Sequence, residues 1–299
     1  MLSYIRSFAR KVPFLKKVIG HYIAPSGLFD KTILNRPLGD LWQRRLTETM
    51  ECPDNEFIPR VENAGAVSGG KQVLHNGLKI YLGSYYGPEV AQILRANRGV
   101  HEPQEERVFQ EVIASLPARA TMIELGSFWS FYSMWFHSVV PQPRNFMIEP
   151  DKFNKGSGER NFKLNGMHGD FTLAMIAEKS SDGPNGRTVC VDDFAAEKGI
   201  EHINLLHSDI QGFEYLMLQG AGSMLDAGKI DFIFISTHSN EVHGQCLNHL
   251  LEKDFFIIAE TDRDGTYSED GLIAACAPHV DWKQKIEISQ KPSSATRKN

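Results

Sequence analysis

The sequence is most informative at first through what it withholds. Its four cysteines, Cys52, Cys190, Cys246 and Cys276, lie far apart and form no C-x-x-C pair. That excludes the usual spacing of a structural zinc site. Cys190 and Cys276 fall in apolar, strand-like runs, where buried free thiols are expected. There is no N-x-[ST] acceptor for glycosylation, and the two absences together point to a reducing cytoplasm. No apolar run is long enough to span a bilayer. Basic charge is not in surplus: 32 Lys and Arg face 37 Asp and Glu, a formal net charge of -5. A general nucleic-acid binder would carry the opposite balance, so no nucleic-acid partner is expected. A G-x-G-x-x-G turn is also missing, which removes the feature that admits a dinucleotide pyrophosphate.

Acid is absent from the first stretch, where Asp30 is the first acidic residue and Arg6, Arg10, Lys11, Lys16 and Lys17 precede it. Leu2, Ile5, Phe8, Ala9 and Val12 recur there at helical spacing, giving a basic amphipathic helix up to Pro13. Two readings stay open. The helix packs on its own domain, or residues 1–24 make peripheral contact with an anionic membrane surface.

What is present is ordinary globular material, 41% hydrophobic and 10% aromatic, enough for a substantial core. "HEPQEERVFQEVIASLP" reads as a helix with Pro103 in its first turn and acids at its start. From Thr121 onward short apolar strands alternate with helices: "TMIEL", "NFMIEP", "FTLAMIAE", "INLLHSDI" and "IDFIFIST" are strands. "SSDGPNG" reads as a loop and "FEYLMLQGAGSML" as one helix. This alternation predicts an α/β fold, a doubly wound, mostly parallel seven-stranded sheet of Rossmann-like type. "FFIIAETD" and "GLIAACA" have no helix between them, so the last strand is expected antiparallel. Three segments are expected: an N-terminal helical and irregular segment over 1–70, a catalytic domain over 71–285, and a disordered polar tail over 286–299.

In such a sheet ligands bind beyond the carboxyl ends of the strands. "TMIELGSFWS" places Glu124 at one such end, followed by a sharp turn at Gly126 and a helix start near Ser130. An acid there repels phosphate and suits a cationic ligand such as an ammonium or a sulfonium. The next strand ends in Glu149, where a carboxylate can accept both hydroxyls of a ribose. The two acids in order describe S-adenosylmethionine (SAM), with Glu124, Gly126, Ser127, Ser130 and Glu149 as the expected cofactor-binding residues.

With these residues in view, the chain resembles the class I SAM-dependent methyltransferases, and more closely the FkbM family. "MIELGSFWS" is similar to that family's acid-glycine loop and "FMIEP" to its second strand end. "VDDF" followed by "INLLHSDIQGFEYLMLQGA" is similar to its most specific block, through Asp209, Gly212, Glu214 and Gly220-Ala221. The resemblance covers roughly Gly77 to Ala277. Ser130 stands where the loop usually ends in glycine, His207 replaces the usual lysine and Gln211 the usual glutamate. The resemblance implies a methyl acceptor that is a hydroxyl of a sugar, glycan, glycolipid or secondary metabolite.

A hydroxyl acceptor needs help to lose its proton. Asp209 ends "INLLHSD" and His238 follows "FISTHS", adjacent crevice positions in the expected winding. They are the expected catalytic pair, with His238 as base beside Asp209, or with Asp209, His238 and His243 around a divalent metal. A SAM-fold binding or scaffold protein without catalysis is the alternative that Ser130, His207 and Gln211 permit.

Overall fold

The computed structural model describes residues 30–184 and 186–292. The amphipathic helix expected before Pro13 and the last residues of the polar tail lie outside them. Helices α1 (Asp30–Leu34) and α2 (Asp40–Glu51) lead through a 3-10 turn at Pro53–Phe57 to a small antiparallel sheet of β1 (Val67–Ser68), β2 (Lys71–Val73) and β3 (Lys79–Tyr81). Then come α3 (Pro88–Ala96) and α4 (Pro103–Ser115). Both begin on proline, whose missing N–H is no loss in a first turn.

The central unit follows as β4 (Thr121–Leu125), α5 (Phe131–Val139), β5 (Arg144–Glu149), α6 (Lys152–Leu164) and β6 (Asp170–Leu173). Next come three short strands, β7 (Met175–Ile176), β8 (Ser181–Gly183) and β9 (Gly186–Val189), then α7 (Val191–Glu197) and β10 (Ile203–Ser208). The chain ends with α8 (Glu214–Gln219), α9 (Gly222–Asp226), β11 (Ile230–Thr237), α10 (Asn240–Glu252), β12 (Phe256–Thr261) and β13 (Gly271–Cys276). Asp151 starts α6 by accepting the Phe153 and Asn154 amides, and Ser239 starts α10 by accepting that of Val242. Such caps satisfy amides that a helix leaves free at its N-terminus.

The main sheet has seven strands in the order β12-β13-β11-β10-β4-β5-β6. Pairing is parallel from β11 to β6, and β13 runs antiparallel to both β11 and β12. This is the doubly wound sheet expected from the alternation, with its last strand reversed. The winding changes direction between β4 and β10, so the crevice opens at the carboxyl ends of those two strands.

Three local readings are corrected. "FTLAMIAE" is not one strand: it breaks at Ala174, β6 joining the main sheet and β7 pairing with β9. "SSDGPNG" is not a plain loop, because β8 and β9 pair across it. The helix after Asp209 breaks at Gly220-Ala221 into α8 and α9. A Cβ at Gly220 would fall 2.8 Å from the Ala177 carbonyl and from Cys190 Cβ, so only glycine lets the chain pass there. The expected disordered tail also begins too early. Ile286 is buried and bonds to the Ile258 carbonyl, the Ser289 amide donates to Asp54, and that of Lys291 to the Gly265 carbonyl. Backbone hydrogen bonds and one buried side chain hold a segment whose composition looks like free coil.

The core lies on both faces of the sheet. One face packs Met122, Leu205, Phe234 and Leu272 against α4 and α5, with Phe109, Phe131 and Phe136 fully buried. The other packs Ile123, Leu206, Ile233 and Ile273 against α7 to α10. Among the described residues no helix is long and apolar enough to cross a membrane.

Candidate active site

The crevice is a cavity of about 340 Å³ bounded by Tyr86, Gly126, Phe128, Glu149, Asn154 and Asp209, with Met175, Gln211 and Phe213 at its edge. Its floor is the turn after β4. Gly126 has φ +75, and a Cβ there would collide with the Asp209 carbonyl. Glycine is therefore required by the neighbouring strand end, whose approach brings Asp209 to the rim. Phe128 (φ 36), Ser130 (φ 60) and Gln211 (φ 56) also adopt positive φ. L-residues other than Asn and Asp seldom do so, and such strain collects at functional turns. The left-handed conformation at Ser130 is the one glycine adopts without cost, and its hydroxyl leaves no room for a Cβ at Gly158 of α6.

Glu149 sits on the wall. Its Oε2 accepts the Phe128 amide at 3.1 Å, and its Oε1 accepts the Asp151 amide at 2.9 Å and the Asn154 side chain at 3.4 Å. Burial nonetheless pushes its pKa above the ordinary carboxylate value. A carboxylate with about four lone-pair sites, three of them used, keeps one for a further donor.

Of the residues expected to bind cofactor, Gly126 and Glu149 border the crevice and the other three do not. Glu124, Ser127 and Ser130 are buried beneath the turn at 3%, 2% and 0% exposure. Direct contact through Glu124 is corrected on that ground. Its carboxyl points into the sheet face under α5, and burial pushes its pKa up to about 7. It pairs in register with His207, and the His207 Nε2 lies 2.7 Å from Glu105 of α4. That carboxylate holds the proton on the imidazole, raising the His207 pKa despite full burial.

Asp209 and His238, the residues expected to form a catalytic pair, lie side by side. His238 Nε2 lies 3.3 Å from Asp209, and its Nδ1 donates to the buried Glu214 at 2.7 Å. A third carboxylate, Asp270 in the turn between β12 and β13, lies 3.5 Å from Nε2. Burial alone would lower the His238 pKa, but the three carboxylates overcome it and raise the value to about 10. Those acids favour the protonated imidazole, which has no lone pair to offer as a base, although the Gln211 side-chain nitrogen also lies 2.7 Å from Nε2. Asp270 moves the other way: burial lifts it to about 7 against the pull of His238.

Asp270 escaped sequence reasoning because it lies in a polar turn and carries no motif; only the fold of β13 against β11 brings it in. Glu214, read from sequence as support for its helix, is also the nearest partner of His238. His243 does not join the site. It is buried in α10, with Nδ1 at 3.0 Å from Thr237 Oγ1 and Nε2 at 3.3 Å from Glu260. A metal set of Asp209, His238 and His243 is therefore not assembled. Among the described residues the group of histidine and acid with ligand spacing lies at the opposite end of the sheet.

The sheet is of the Rossmann-like type that solved methyltransferases also carry. Residues 159–260, about a third of the chain, match the family model described as methyltransferase FkbM domain. The match spans Asp209, Gly212, Glu214 and His238, while the Glu124–Ser130 turn and Glu149 precede it. Solved structures of similar fold include precorrin-6y C5,15-methyltransferase from Geobacter metallireducens, with 13% identity over 58% of this chain and 88% of that chain and a TM-score of 0.41. Ribosomal protein L11 methylase from Lactobacillus delbrueckii subsp. bulgaricus shows 12% identity over 61% and 82%, with a TM-score of 0.41. The tRNA (uracil-54, C5)-methyltransferase of Pyrococcus abyssi, in complex with S-adenosyl-L-homocysteine, shows 12% identity over 69% and 43%, with a TM-score of 0.42. No curated protein matches the chain.

Proposed function

We propose that the chain is an O-methyltransferase whose acceptor is a hydroxyl of a sugar, glycan, glycolipid or secondary metabolite. The observation that carries this reading is the cluster of Asp209, Asp270 and His238 beside the cavity that Gly126 and Glu149 border. The residues present fit the cofactor. Glu149 has a lone pair free for a ribose hydroxyl, the Gly126 turn forms the floor, and Phe128 and Met175 supply apolar surface. When bound, S-adenosylmethionine supplies an electrophilic methyl group on a sulfonium.

The chain's own task is to orient the acceptor and take its proton. Asp270 is the carboxylate best matched to that work, since its pKa of about 7 makes it a stronger base than an ordinary aspartate. Proton transfer is most efficient when the base titrates near the working pH. His238, held as a cation by Glu214 and its neighbours, fixes Asp209 and Asp270 on either side of the acceptor and balances their charge. Tyr86 and Phe213 expose 46% and 42% of their surface at the mouth. Flat aromatic faces there suit the C–H face of a sugar ring.

The test is transfer of labelled methyl from SAM to a panel of glycans, glycolipids and phenols, followed by product hydrolysis. The reading predicts an ether-linked methyl group, with a rate rising as pH passes about 7 and Asp270 ionises, then falling near 10 as His238 loses its proton. Asp270→Asn should abolish the lower limb while leaving SAM affinity within twofold. Label on nitrogen or carbon, or an unchanged pH profile in that variant, would overturn it. SAM binding without turnover on any acceptor would favour the non-catalytic binding protein.

A further inference from the structure

At the end of the sheet opposite the crevice, two histidines from separate elements converge on one carboxylate oxygen from a third. His202 precedes β10, Asp231 is the second residue of β11, and His279 follows β13. His202 Nε2 lies 2.8 Å and His279 Nε2 2.9 Å from the same Asp231 Oδ1. The other carboxylate oxygen accepts the Asn204 amide at 2.8 Å. Asn204 is itself anchored, since its carbonyl accepts the Thr121 backbone N–H. We infer that His202, Asp231 and His279 form a binding site for a divalent transition-metal ion such as Zn2+, remote from the methyl-transfer crevice.

The donor set is right for such an ion: two imidazole nitrogens and a carboxylate oxygen suit Zn2+. With metal–ligand bonds of about 2.0–2.1 Å, tetrahedral donors stand about 3.3 Å apart, so each histidine nitrogen needs to open from Asp231 Oδ1 by about half an ångström, and all three donors already lie within 4.8 Å of one another. Both histidines are about two-fifths exposed and free to do so, whereas Asp231 is mostly buried and held by Asn204. A carboxylate oriented by a further hydrogen bond, with mobile imidazoles outside it, is the arrangement of a ligand backed by a second layer. Without metal, each imidazole donates its Nε2 proton to a single oxygen. A bound ion replaces both protons and takes lone pairs on the same three atoms. Ions reach the site from solvent, because His279 also borders an open cavity with Gly228 and Phe255. The four cysteines are buried and offer no competing thiol site.

The ion would tie the entry of β10 and β11 to the exit of β13, which makes its effect structural. Binding to the folded state alone raises stability with ion concentration. The test uses untagged full-length protein, stripped by chelator and dialysed, then titrated with Zn2+ against a chromophoric chelator. The expected result is one Zn2+ per chain, a thermal midpoint that rises with Zn2+, and at least tenfold weaker binding in His202→Ala and in His279→Ala. Both positions are surface-exposed, and far-UV circular dichroism checks that the variants fold. No stoichiometric uptake by wild type, or uptake equal to wild type in both variants, would overturn the inference.

Discussion

The two faces of the main sheet are made by the same strands and yet hold different interiors. The face under α7 to α10 is mainly apolar, built on Ile123, Leu206, Ile233 and Phe194, with its buried polar groups, Thr237, His243 and Glu214, gathered at the carboxyl end of the strands. The face under α4 and α5 buries Glu124, His207 and Ser236 on its strands and His101, Glu102, Glu105 and Glu106 above them. Glu105 accepts from Ser236 at 3.0 Å and lies 2.7 Å from His207, while Glu106 lies 2.7 Å from His101 and 3.3 Å from His75. Strand side chains alternate between faces, so a polar residue every second position puts all of that chemistry on one side. One face is stabilised by apolar burial. The other holds charges that only their partners make tolerable, and it lies under the turn at Gly126.

The largest effect should come from breaking a partner on the charged face. Glu106 accepts the His101 and Glu102 amides at 2.8 Å and 3.0 Å besides pairing with His101. Glu106→Ala strands a buried cation and two amides, and should cost about 3–5 kcal/mol by denaturant titration. On the apolar face, Ile233→Val should cost only about 0.5–1.5 kcal/mol. Equal losses at the two positions would erase the distinction.

The pH dependence sharpens the same comparison. Glu102 and Glu106 overcome the effect of burial and raise the His101 pKa from 6.5 to about 10. Its stabilisation is therefore fully present below pH 6.5 and lost as pH rises through about 10. Glu124, raised by burial from 4.5 to about 7, acts in the same direction: its contribution is present below pH 4.5 and lost as pH passes about 7. Glu102 acts oppositely, because His101 outweighs the effect of burial and lowers its pKa from 4.5 to about 2. Its contribution is lost only as pH falls through about 2. The thermal midpoint should thus fall from about pH 4.5 to pH 10, and Glu124→Gln should remove the part of that fall that lies below about 7. A flat profile across this range would mean that the buried pairs are not ionised as described.

The sheet was legible in the sequence because its signals are local. Five-residue apolar strands, helices between them and a polar turn before "GLIAACA" need no distant information, and β4, β5, β10, β11 and β13 stand where the pattern puts them. The meeting of Asp209 and His238 was legible for a related reason, since both follow neighbouring parallel strands. What stayed hidden depends on partners far apart in the chain. The acids of "HEPQEER" look like helix-start charges facing water, yet Glu105 and Glu106 point inward because His207 and His75 wait 102 and 31 positions away. Asp270 was hidden by the same distance from Asp209 and His238. Glu124 was misread because a strand-end acid has two faces to choose between, and alternation turns this one into the core.

The measurement that tests the account most directly is calorimetric titration with SAM of the wild-type chain and of Glu149→Ala. The account predicts saturable one-to-one binding by wild type. It predicts a loss of about 1–3 kcal/mol in the variant, from missing charge-assisted hydrogen bonds. Undiminished affinity in folded Glu149→Ala, or no binding by folded wild type, would contradict it.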